Sequence, residues 1–223
     1  MSLSIIIPTL NEEANLPALL AELAPLQARG AQIIVADGGS TDASRNLLPA
    51  AVEWLGAPCG RARQMNAGAA LASGSVLWFV HADTRLPAKA DQLIATALAG
   101  GRHCWGRFDL RIDGHPWLLK VVAQLINWRS RLTSIATGDQ GIFVLRSDFE
   151  ALGGYADQPL MEDIELCTRL RQLSAPACIG TRLSTSGRRW EQRGVWRTIW
   201  LMWRLRWAYW RGVPAAQLAE AYR

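Results

Sequence analysis

The sequence predicts an α/β protein in which helices flank a parallel β-sheet. Four short apolar segments alternate with helical patterns near the start of the chain, at residues 3–8, 33–36, 52–55 and 76–81. The apolar runs at residues 33–36 and 76–81 are typical of strands buried on both faces. Strands that alternate with helices over short loops pair in parallel through right-handed crossovers. The expected order is therefore β-α-β-α-β-α-β.

Capping and breaking residues bound the helices between these strands. Asn11 is a suitable N-cap for a first helix that runs to about residue 27, with Glu12 and Glu13 in its first turn. We expect further helices at residues 60–72, from Pro87 to about 99, 117–132 and from Leu160 to about 173. Later strands are expected at residues 103–112, 142–145 and 177–184.

Length and composition favour one large domain with an appendage. The chain has 223 residues, half of them hydrophobic, so a sizeable core is possible. Four scattered cysteines, without a C-x-x-C pair, are typical of reduced thiols. No basic leader and no long uncharged apolar run is present, so we expect a cytoplasmic protein, with peripheral contact to the inner membrane face as an open option.

The positive charge is concentrated near the end of the chain. Residues 182–223 contain nine arginines and two glutamates, whereas the first 181 residues carry a net charge of −2. Residues 195–210 read as a helix on which five tryptophans, spaced 4, 3, 4 and 3, form one stripe. Three interpretations of this stripe remain open. The first is packing on the core or on a second subunit, which is the usual role of an apolar stripe. The others are contact with an anionic membrane and nucleic-acid binding.

Acidic residues recur where the predicted topology would bring them together. They are Asp37 and Asp83 after two strands, Asp139 before another strand, and Glu162 and Asp163 at the start of a helix. Open α/β sheets bind ligands at the carboxyl ends of their strands. A divalent metal on Asp83 would neutralise a diphosphate, and Gly38 would let a ring or sugar approach the backbone. Each acidic residue could instead serve only a turn or a helix dipole.

Several of these motifs together resemble the family 2 glycosyltransferases, which have a GT-A fold. The motifs are P-T-L-N-E-E from Pro8, A-D-G-G-S-T-D from Ala36, N-A-G from Asn66, H-A-D from His81, M-E-D from Met161 and R-R-W from Arg188. The resemblance implies a mixed, mainly parallel GT-A-like sheet over residues 1–190, with a nucleotide-binding half (1–100), an acceptor half (101–190) and a helical appendage (191–223). The residues in these motifs most closely resemble those of a small bacterial subgroup labelled radical-SAM-associated or arsenosugar-biosynthesis glycosyltransferases.

The resemblance also implies roles for individual residues. The nucleotide side would comprise Pro8, Asn11, Glu12, Asp37, Gly38, Arg63 and Asn66. Asp83 matches the last aspartate of the D-x-D metal motif, which binds Mg²⁺ or Mn²⁺. His81 replaces the first aspartate, and it either binds the metal or only packs and donates a hydrogen bond.

The implied reaction is transfer of a sugar from a nucleotide diphosphate, most simply a UDP-sugar, to a hydroxyl of a small-molecule or lipid acceptor, with inversion. Asp163 would be the general base with Glu162 beside it, and Asp139 is the second choice of base. Arg189 and Trp190 would lie near the pyrophosphate and the acceptor. The alternatives are a nucleotidyltransferase acting on sugar phosphates and a non-catalytic membrane or nucleotide-binding module.

Overall fold

The computed structural model describes residues 1–222, and among these it leaves out only the side chain of residue 189. The strands are β1 (Leu3–Thr9), β2 (Gln32–Asp37), β3 (Glu53–Gly56), β4 (Val76–Phe79), β5 (Trp105–Asp113), β6 (Phe143–Leu145) and β7 (Ala177–Ser186). The α-helices are α1 (Leu16–Ala28), α2 (Arg61–Leu71), α3 (Ala90–Leu98), α4 (Leu118–Thr133), α5 (Arg146–Ala151), α6 (Glu162–Leu173), α7 (Arg188–Arg193), α8 (Val195–Trp210) and α9 (Ala215–Tyr222). Short 3₁₀ helices span Ala43–Leu47 and Gly138–Gln140.

The described strands form one mixed sheet in the order β3-β2-β1-β4-β6-β5-β7. The first four strands are parallel, as predicted, whereas β6 runs antiparallel to both of its neighbours. Phe143 at the start of β6 pairs with Trp78 near the end of β4. Because β6 enters the sheet at the edge where β4 leaves it, the residues just before β6 lie beside the residues just after β4. This arrangement confirms the expected mixed, mainly parallel α/β fold and brings distant loops to one edge.

Strand β1 is buried on both faces because each face carries its own helical layer. Ile5 and Ile7 pack in a core cluster with residues of α1 and α3. Ile6, which points the other way, packs in a second cluster with residues of α2 and α6. The period of two along a strand therefore assigns alternate isoleucines to opposite layers. The crossover order also places a topological switch point between β1 and β4, where open α/β sheets bind ligands.

Two local predictions about chain turns were wrong. Asn11 does not cap α1, which begins at Leu16. It adopts a left-handed conformation (φ 54°), which asparagine tolerates better than most residues. Strand β4 ends at Phe79 and not at His81, because the chain turns there, with the N–H of Thr84 donating to the carbonyl of His81 (3.1 Å). Both turns lie at the carboxyl edge of the sheet.

Helix α8 matches the predicted range, but its tryptophan stripe does not pack on the protein's own core. The buried side of α8 includes Leu205, which lies in a cluster with Met161 and Leu218. The five tryptophans lie on the other side and are exposed. Core packing of the stripe is therefore excluded in this chain, and the predicted boundary at residue 190 remains a prediction. Within residues 1–222, no helix is both long enough and apolar enough to cross a membrane.

Candidate active site

The loops after β1 and β2 are joined by side-chain hydrogen bonds. Asn11 Oδ1 accepts a hydrogen bond from the N–H of Thr41 (2.8 Å), and the Asn11 N–H donates to Ser40 Oγ (2.9 Å). Asp37 is buried, and its Oδ1 accepts from both the N–H (3.0 Å) and the hydroxyl (2.5 Å) of Ser40. The predicted nucleotide residues Asn11 and Asp37 are therefore brought together at one edge. Pro8, also predicted here, pairs in register with Ala36 on β2.

A second set of bonds holds the segment before α1 against the loop after β2. The Glu12 N–H donates to Ser44 Oγ (2.9 Å), while the Glu12 carboxylate accepts from the amide of Asn15 (2.7 Å). The Glu13 N–H donates to Asp42 (3.0 Å), and Glu13 in turn accepts from the N–H of Ala43 (2.9 Å). These reciprocal bonds fix the rim of the site without any ligand.

Gln64 is a buried polar residue that the sequence analysis missed. Its amide nitrogen donates to the carbonyl oxygens of Thr9 and Ala36, each at 2.8 Å. Its side chain also lies beside Gly38, where an added Cβ would come within 3.0 Å of it. Gln64 thus cross-links the ends of β1 and β2 from helix α2. The signal available in the sequence was a lone glutamine among the alanines of that helix.

Replacing Gln64 by alanine should destabilise the fold and weaken nucleotide binding. Two buried hydrogen bonds are lost and a cavity remains, so we expect the free energy of unfolding to fall by about 3 kcal/mol. Urea denaturation measures this change, with Gln92→Ala on the exposed side of α3 as the control. A loss no larger than that of the control would show that Gln64 does not hold the strand ends together.

Arg63 and Asn66, both predicted on the nucleotide side, are engaged by the segment before α6. Arg63 Nε donates to Asp157 (2.7 Å) beside a cavity of about 230 Å³ at the start of α2. Asn66 exchanges two hydrogen bonds with the backbone of Tyr155, each at 2.8 Å. Asn66 therefore positions this segment through both ends of its amide, while the Arg63–Asp157 pair is exposed to solvent.

Asp83 lies four residues beyond the end of β4, in a loop that is attached to β7. Arg85 forms an antiparallel bridge with Ser184, and Thr185 Oγ1 donates to Asp83 Oδ2 at 3.4 Å. The carboxylate is partly exposed, and its hydrogen bond from Thr185 is long. Mg²⁺ and Mn²⁺ in nucleotide sites bind one or two carboxylates and take their other ligands from phosphates and water. Asp83 fits that role.

His81 is turned towards the loop that precedes β6. Its Nδ1 lies 3.0 Å from Asp139 Oδ1, and a Cβ on Gly138 would come within 2.8 Å of its Nε2. The buried ring is therefore packed between Asp139 and Gly138. Among the residues whose side chains the structure describes, no three His, Cys, Asp or Glu residues converge as a metal cage. Because Nε2, the nitrogen that is not paired with Asp139, lies against Gly138, the geometry favours the packing role for His81 over a metal-ligand role.

Glu162 and Asp163 begin α6 directly after a strained residue. Met161 has a left-handed backbone (φ 65°), which is uncommon for a residue that is not glycine. Asp163 Oδ2 accepts from the N–H of Gly138 (2.9 Å), and its Oδ1 accepts from the N–H of Ile164 (2.8 Å). The same Gly138 contacts the ring of His81, so the loops carrying Asp83 and Asp163 meet at this glycine.

The pKa of Asp163 is raised to about 6. Burial of the carboxyl group is the main cause, and the neighbouring charge of Glu162 adds to it, against the two backbone N–H donors and Arg61. A carboxylate with a pKa near neutral accepts a proton more readily than an ordinary aspartate, which suits a general base.

Arg61, at the start of α2, lies beside the first residue of α6, a contact that is not visible in the sequence. Its guanidinium lies 3.9 Å from the buried carboxylate of Glu162. The side chain of Arg61 is more than half exposed, and the nearby charges of Glu162, Asp139 and Asp163 raise its pKa. Arg61 therefore offsets part of the negative charge at the start of α6. Spacing along the chain gave no sign of this pairing.

The R-W motif at residues 189–190 is only partly described. The side chain of Arg189 lies outside the described part of the chain. Trp190 is partly buried and packs against the cluster formed by β5 and α4, which includes Leu110 and Leu119. The predicted role of both residues near the pyrophosphate remains a prediction.

The fold is that of an α/β protein in which Asn11, Asp37 and Asp83 follow strands at the carboxyl edge of the sheet, around a topological switch point. The family model described as glycosyl transferase family 2 matches residues 4–151, which is more than half of the chain. The chain therefore belongs to glycosyl transferase family 2.

Curated relatives are similar over part of their length. A "PGL/p-HBAD biosynthesis glycosyltransferase" of Mycobacterium bovis (strain BCG / Pasteur 1173P2) is 37% identical over 108 residues, which is 45% of this chain and 42% of the relative. A protein of the same name from Mycobacterium tuberculosis (strain ATCC 25177 / H37Ra) matches equally well. The aligned region thus spans less than half of each relative.

Solved structures share the fold at low sequence identity. S. aureus TarS 1-349 in complex with UDP-GlcNAc has a TM-score of 0.64 at 17% identity, covering 83% of this chain and 58% of that one. Glucosyl-3-phosphoglycerate synthase from Mycobacterium tuberculosis, in complex with Mn²⁺, UDP and glucosyl-3-phosphoglycerate, has a TM-score of 0.60 at 20% identity, covering 82% and 70%. These similarities confirm the GT-A fold class.

Proposed function

We propose that this chain is a metal-assisted, inverting glycosyltransferase that moves a sugar from a nucleotide diphosphate to an acceptor hydroxyl. The observation that carries the proposal is the meeting of the loops of Asp83 and Asp163 at Gly138, with Asp37 at the end of β2, which β1 separates from β4. A donor that spans the switch point would have its nucleoside towards Asp37 and its sugar towards Asp163. Family membership and neighbours crystallised with UDP or UDP-GlcNAc support the choice of donor.

On the donor side, the chain supplies a pre-formed rim for the base and ribose. Asn11, Glu12 and Asp37 already hold their loops in place through hydrogen bonds. Gly38 leaves the backbone accessible beside Gln64. This pre-organisation lowers the entropy cost of binding, because these loops need not become ordered when the nucleotide arrives. A UDP-sugar is the donor we assign.

Asp83 would hold the Mg²⁺ or Mn²⁺ ion. When bound, the ion neutralises the diphosphate and so makes it a better leaving group. Two neighbouring structures support the assignment, since glucosyl-3-phosphoglycerate synthase was crystallised with Mn²⁺ and with Mg²⁺. His81 would position Asp139, and through Gly138 the loop that binds Asp163, rather than contact the ion.

On the acceptor side, Asp163 would take the proton from the attacking hydroxyl. The raised pKa of Asp163 favours proton transfer, and its two backbone donors fix the direction of its lone pairs. Asp139, partly exposed beside His81, would orient the acceptor. Direct attack on the anomeric carbon inverts its configuration. The identity of the acceptor remains a prediction from the residues of the sequence motifs. The same holds for membership of the radical-SAM-associated subgroup.

Thermal shift with a panel of nucleotides and nucleotide sugars tests the proposal. UDP and one or more UDP-sugars should raise the melting temperature by about 5–10 °C at a hundred times their Kd, because they bind only the folded chain. The shift should require Mn²⁺ or Mg²⁺ and disappear with EDTA. ADP and GDP in the same buffer are the matched controls.

Two outcomes would contradict the proposal. A shift with UTP and a sugar 1-phosphate, but with no UDP-sugar, would indicate a nucleotidyltransferase. Absence of any metal-dependent shift across the panel would indicate a module that has lost catalysis. Detection of released UDP in the presence of a hydroxyl acceptor would then separate turnover from binding alone.

A further inference from the structure

The outer face of α8 is an unusual concentration of exposed tryptophan. Trp196, Trp200, Trp203, Trp207 and Trp210 have exposed fractions of 59–79%. The helix is anchored from its other side, where Leu205 packs with Met161 and Leu218. The tryptophans therefore contribute nothing to the core of this chain, although each could bury a large apolar area.

Helix α4 carries a second exposed apolar stripe. Trp117, Val121, Leu125, Trp128 and Leu132, spaced 4, 4, 3 and 4, have exposed fractions of 41–84%. The inner side of α4, including Val122 and Ile126, belongs to the same apolar cluster as Val195 and Ile199 of α8. The two helices thus pack together near the start of α8. Extended exposed apolar patches of this kind mark interaction sites.

Every charged residue on these two helices is basic. Helix α4 contains one lysine and two arginines, and α8 contains three arginines, while neither helix contains an aspartate or glutamate. The guanidinium of Arg204 lies 4.9 Å from the ring centre of Trp200, and that of Arg211 lies 5.2 Å from Trp207. Cation and indole are therefore presented side by side along α8.

We infer that the outer faces of α4 and α8 form a docking surface for an anionic lipid bilayer. Tryptophan is enriched at the depth of lipid headgroups, where its ring is apolar and its N–H can reach water. Arginines beside the rings bind the lipid phosphates, and basic residues near an anionic leaflet add to the attraction. The helices lie on the surface, as amphipathic interfacial helices do. This inference does not depend on the proposed transferase activity.

Charge argues against a second copy of the chain as the occupant. In a two-fold dimer the same face meets itself, so arginines would meet arginines, with no carboxylate on either helix to pair with them.

The aliphatic part of the α4 stripe argues against nucleic acid as the occupant of this surface. Val121, Leu125 and Leu132 have no π-face for stacking on bases, whereas an acyl-chain boundary accepts them.

The surface is linked to the acceptor side of the site through α8 itself. Met161, which directly precedes Glu162, packs on the inner side of α8, and Gln158 donates to the hydroxyl of Tyr209 at 3.3 Å. A membrane bound to the outer side would therefore lie one helix away from the segment that presents Asp163.

Flotation of the full-length chain with lipid vesicles tests the inference. Vesicles of equal parts phosphatidylcholine and phosphatidylglycerol should carry the protein upwards at low salt, whereas vesicles of phosphatidylcholine alone should carry far less. High salt should release the protein, because it screens the arginines. The tryptophan emission should also shift to shorter wavelength when anionic vesicles are added.

Matched double variants locate the surface. Trp200→Ala/Arg204→Gln should lower the partition coefficient for anionic vesicles by about tenfold, and adding Trp207→Ala/Arg211→Gln should lower it by about a hundredfold in total. The control is Arg45→Gln/Trp54→Ala, which removes a similar stacked pair (4.0 Å) next to β3, and it should bind as the wild type does. Unchanged melting temperatures confirm that the variants fold.

Three results would overturn the inference. The first is absence of flotation with anionic vesicles in a folded, monomeric sample. The second is a dimer in light scattering that the α8 variants dissociate, since the face would then be a subunit interface. The third is binding to a single-stranded oligonucleotide that anionic vesicles do not displace.

Discussion

Replacement of Asp163 by asparagine should reduce kcat by about a thousandfold, within the range typical of a lost general base. Asparagine keeps the size and one acceptor oxygen of the side chain, so the bond from the N–H of Gly138 can persist. It cannot accept the proton of an acceptor hydroxyl. Binding of UDP, measured by calorimetry, should change little, because Asp163 lies on the acceptor side.

The pH dependence of kcat gives an independent readout of the same residue. The wild-type rate should rise with pH and level off above an apparent pKa near 6, since Asp163 must be ionised to act. The Asp163→Asn variant should lose this rise. Asp148→Asn, which changes an aspartate in the first turn of α5, is the matched control and should keep the wild-type profile. If the Asp163→Asn variant kept a near-normal kcat, the general base would instead be Asp139.

The same variant should be more stable than the wild type above pH 6. The folded-state pKa of Asp163 lies above its unfolded value, so ionisation costs the wild type stability as pH rises from about 4 through 6. Asparagine removes this cost, and we expect a gain of about 1 kcal/mol at pH 7.5, or about 2–4 °C in melting temperature. The gain should vanish near pH 4. A lower melting temperature at every pH would mean that the carboxylate stabilises the fold.

The parallel half of the fold was predictable because its strands are short, apolar and separated by clear turn residues. Both faces of β1 are buried, and that burial is visible in its apolar residues Ile5, Ile6 and Ile7. The antiparallel direction of β6 was not predictable from its own three residues. It depends on pairing between Phe143 and Trp78, which lie far apart in the sequence. The pattern of the three residues in β6 does not determine which strand it pairs with or in which direction.

The acidic residues of the site were predictable as candidates, but their partners were not. Asp83 follows β4 and Asp163 lies at the start of α6, and both belong to recognisable motifs. Gly138 contacts both loops, but in the sequence it is only a glycine before an aspartate. Arg61 and Gln64 act across the sheet edge, on residues far away in the chain. A contact that depends on tertiary packing can be recognised only once the elements are placed.

Replacement of Asp83 by asparagine should abolish the metal-dependent part of donor binding. The substitution keeps an acceptor for Thr185 Oγ1 and the shape of the loop, and it removes the negative charge that holds the ion. Even outer-shell changes weaken metal sites by about 10–100-fold, so loss of the ligand should weaken Mn²⁺-dependent UDP binding by about a hundredfold or more. Calorimetric titration with UDP, with Mn²⁺ and with EDTA, measures the difference.

Two further variants separate charge from position at this site. Thr185→Val removes only the hydroxyl that donates to Asp83, so it should weaken the Mn²⁺-dependent binding by a smaller factor, about tenfold. His81→Asn should leave the Mn²⁺ dependence of binding intact, because Nδ1 of His81 is directed at Asp139 and its Nε2 lies against Gly138. If His81→Asn abolished that dependence while Asp83→Asn kept it, the ion would be held by the imidazole. The carboxylate at the end of β4 would then serve the loop alone, through Thr185 and the Arg85–Ser184 bridge.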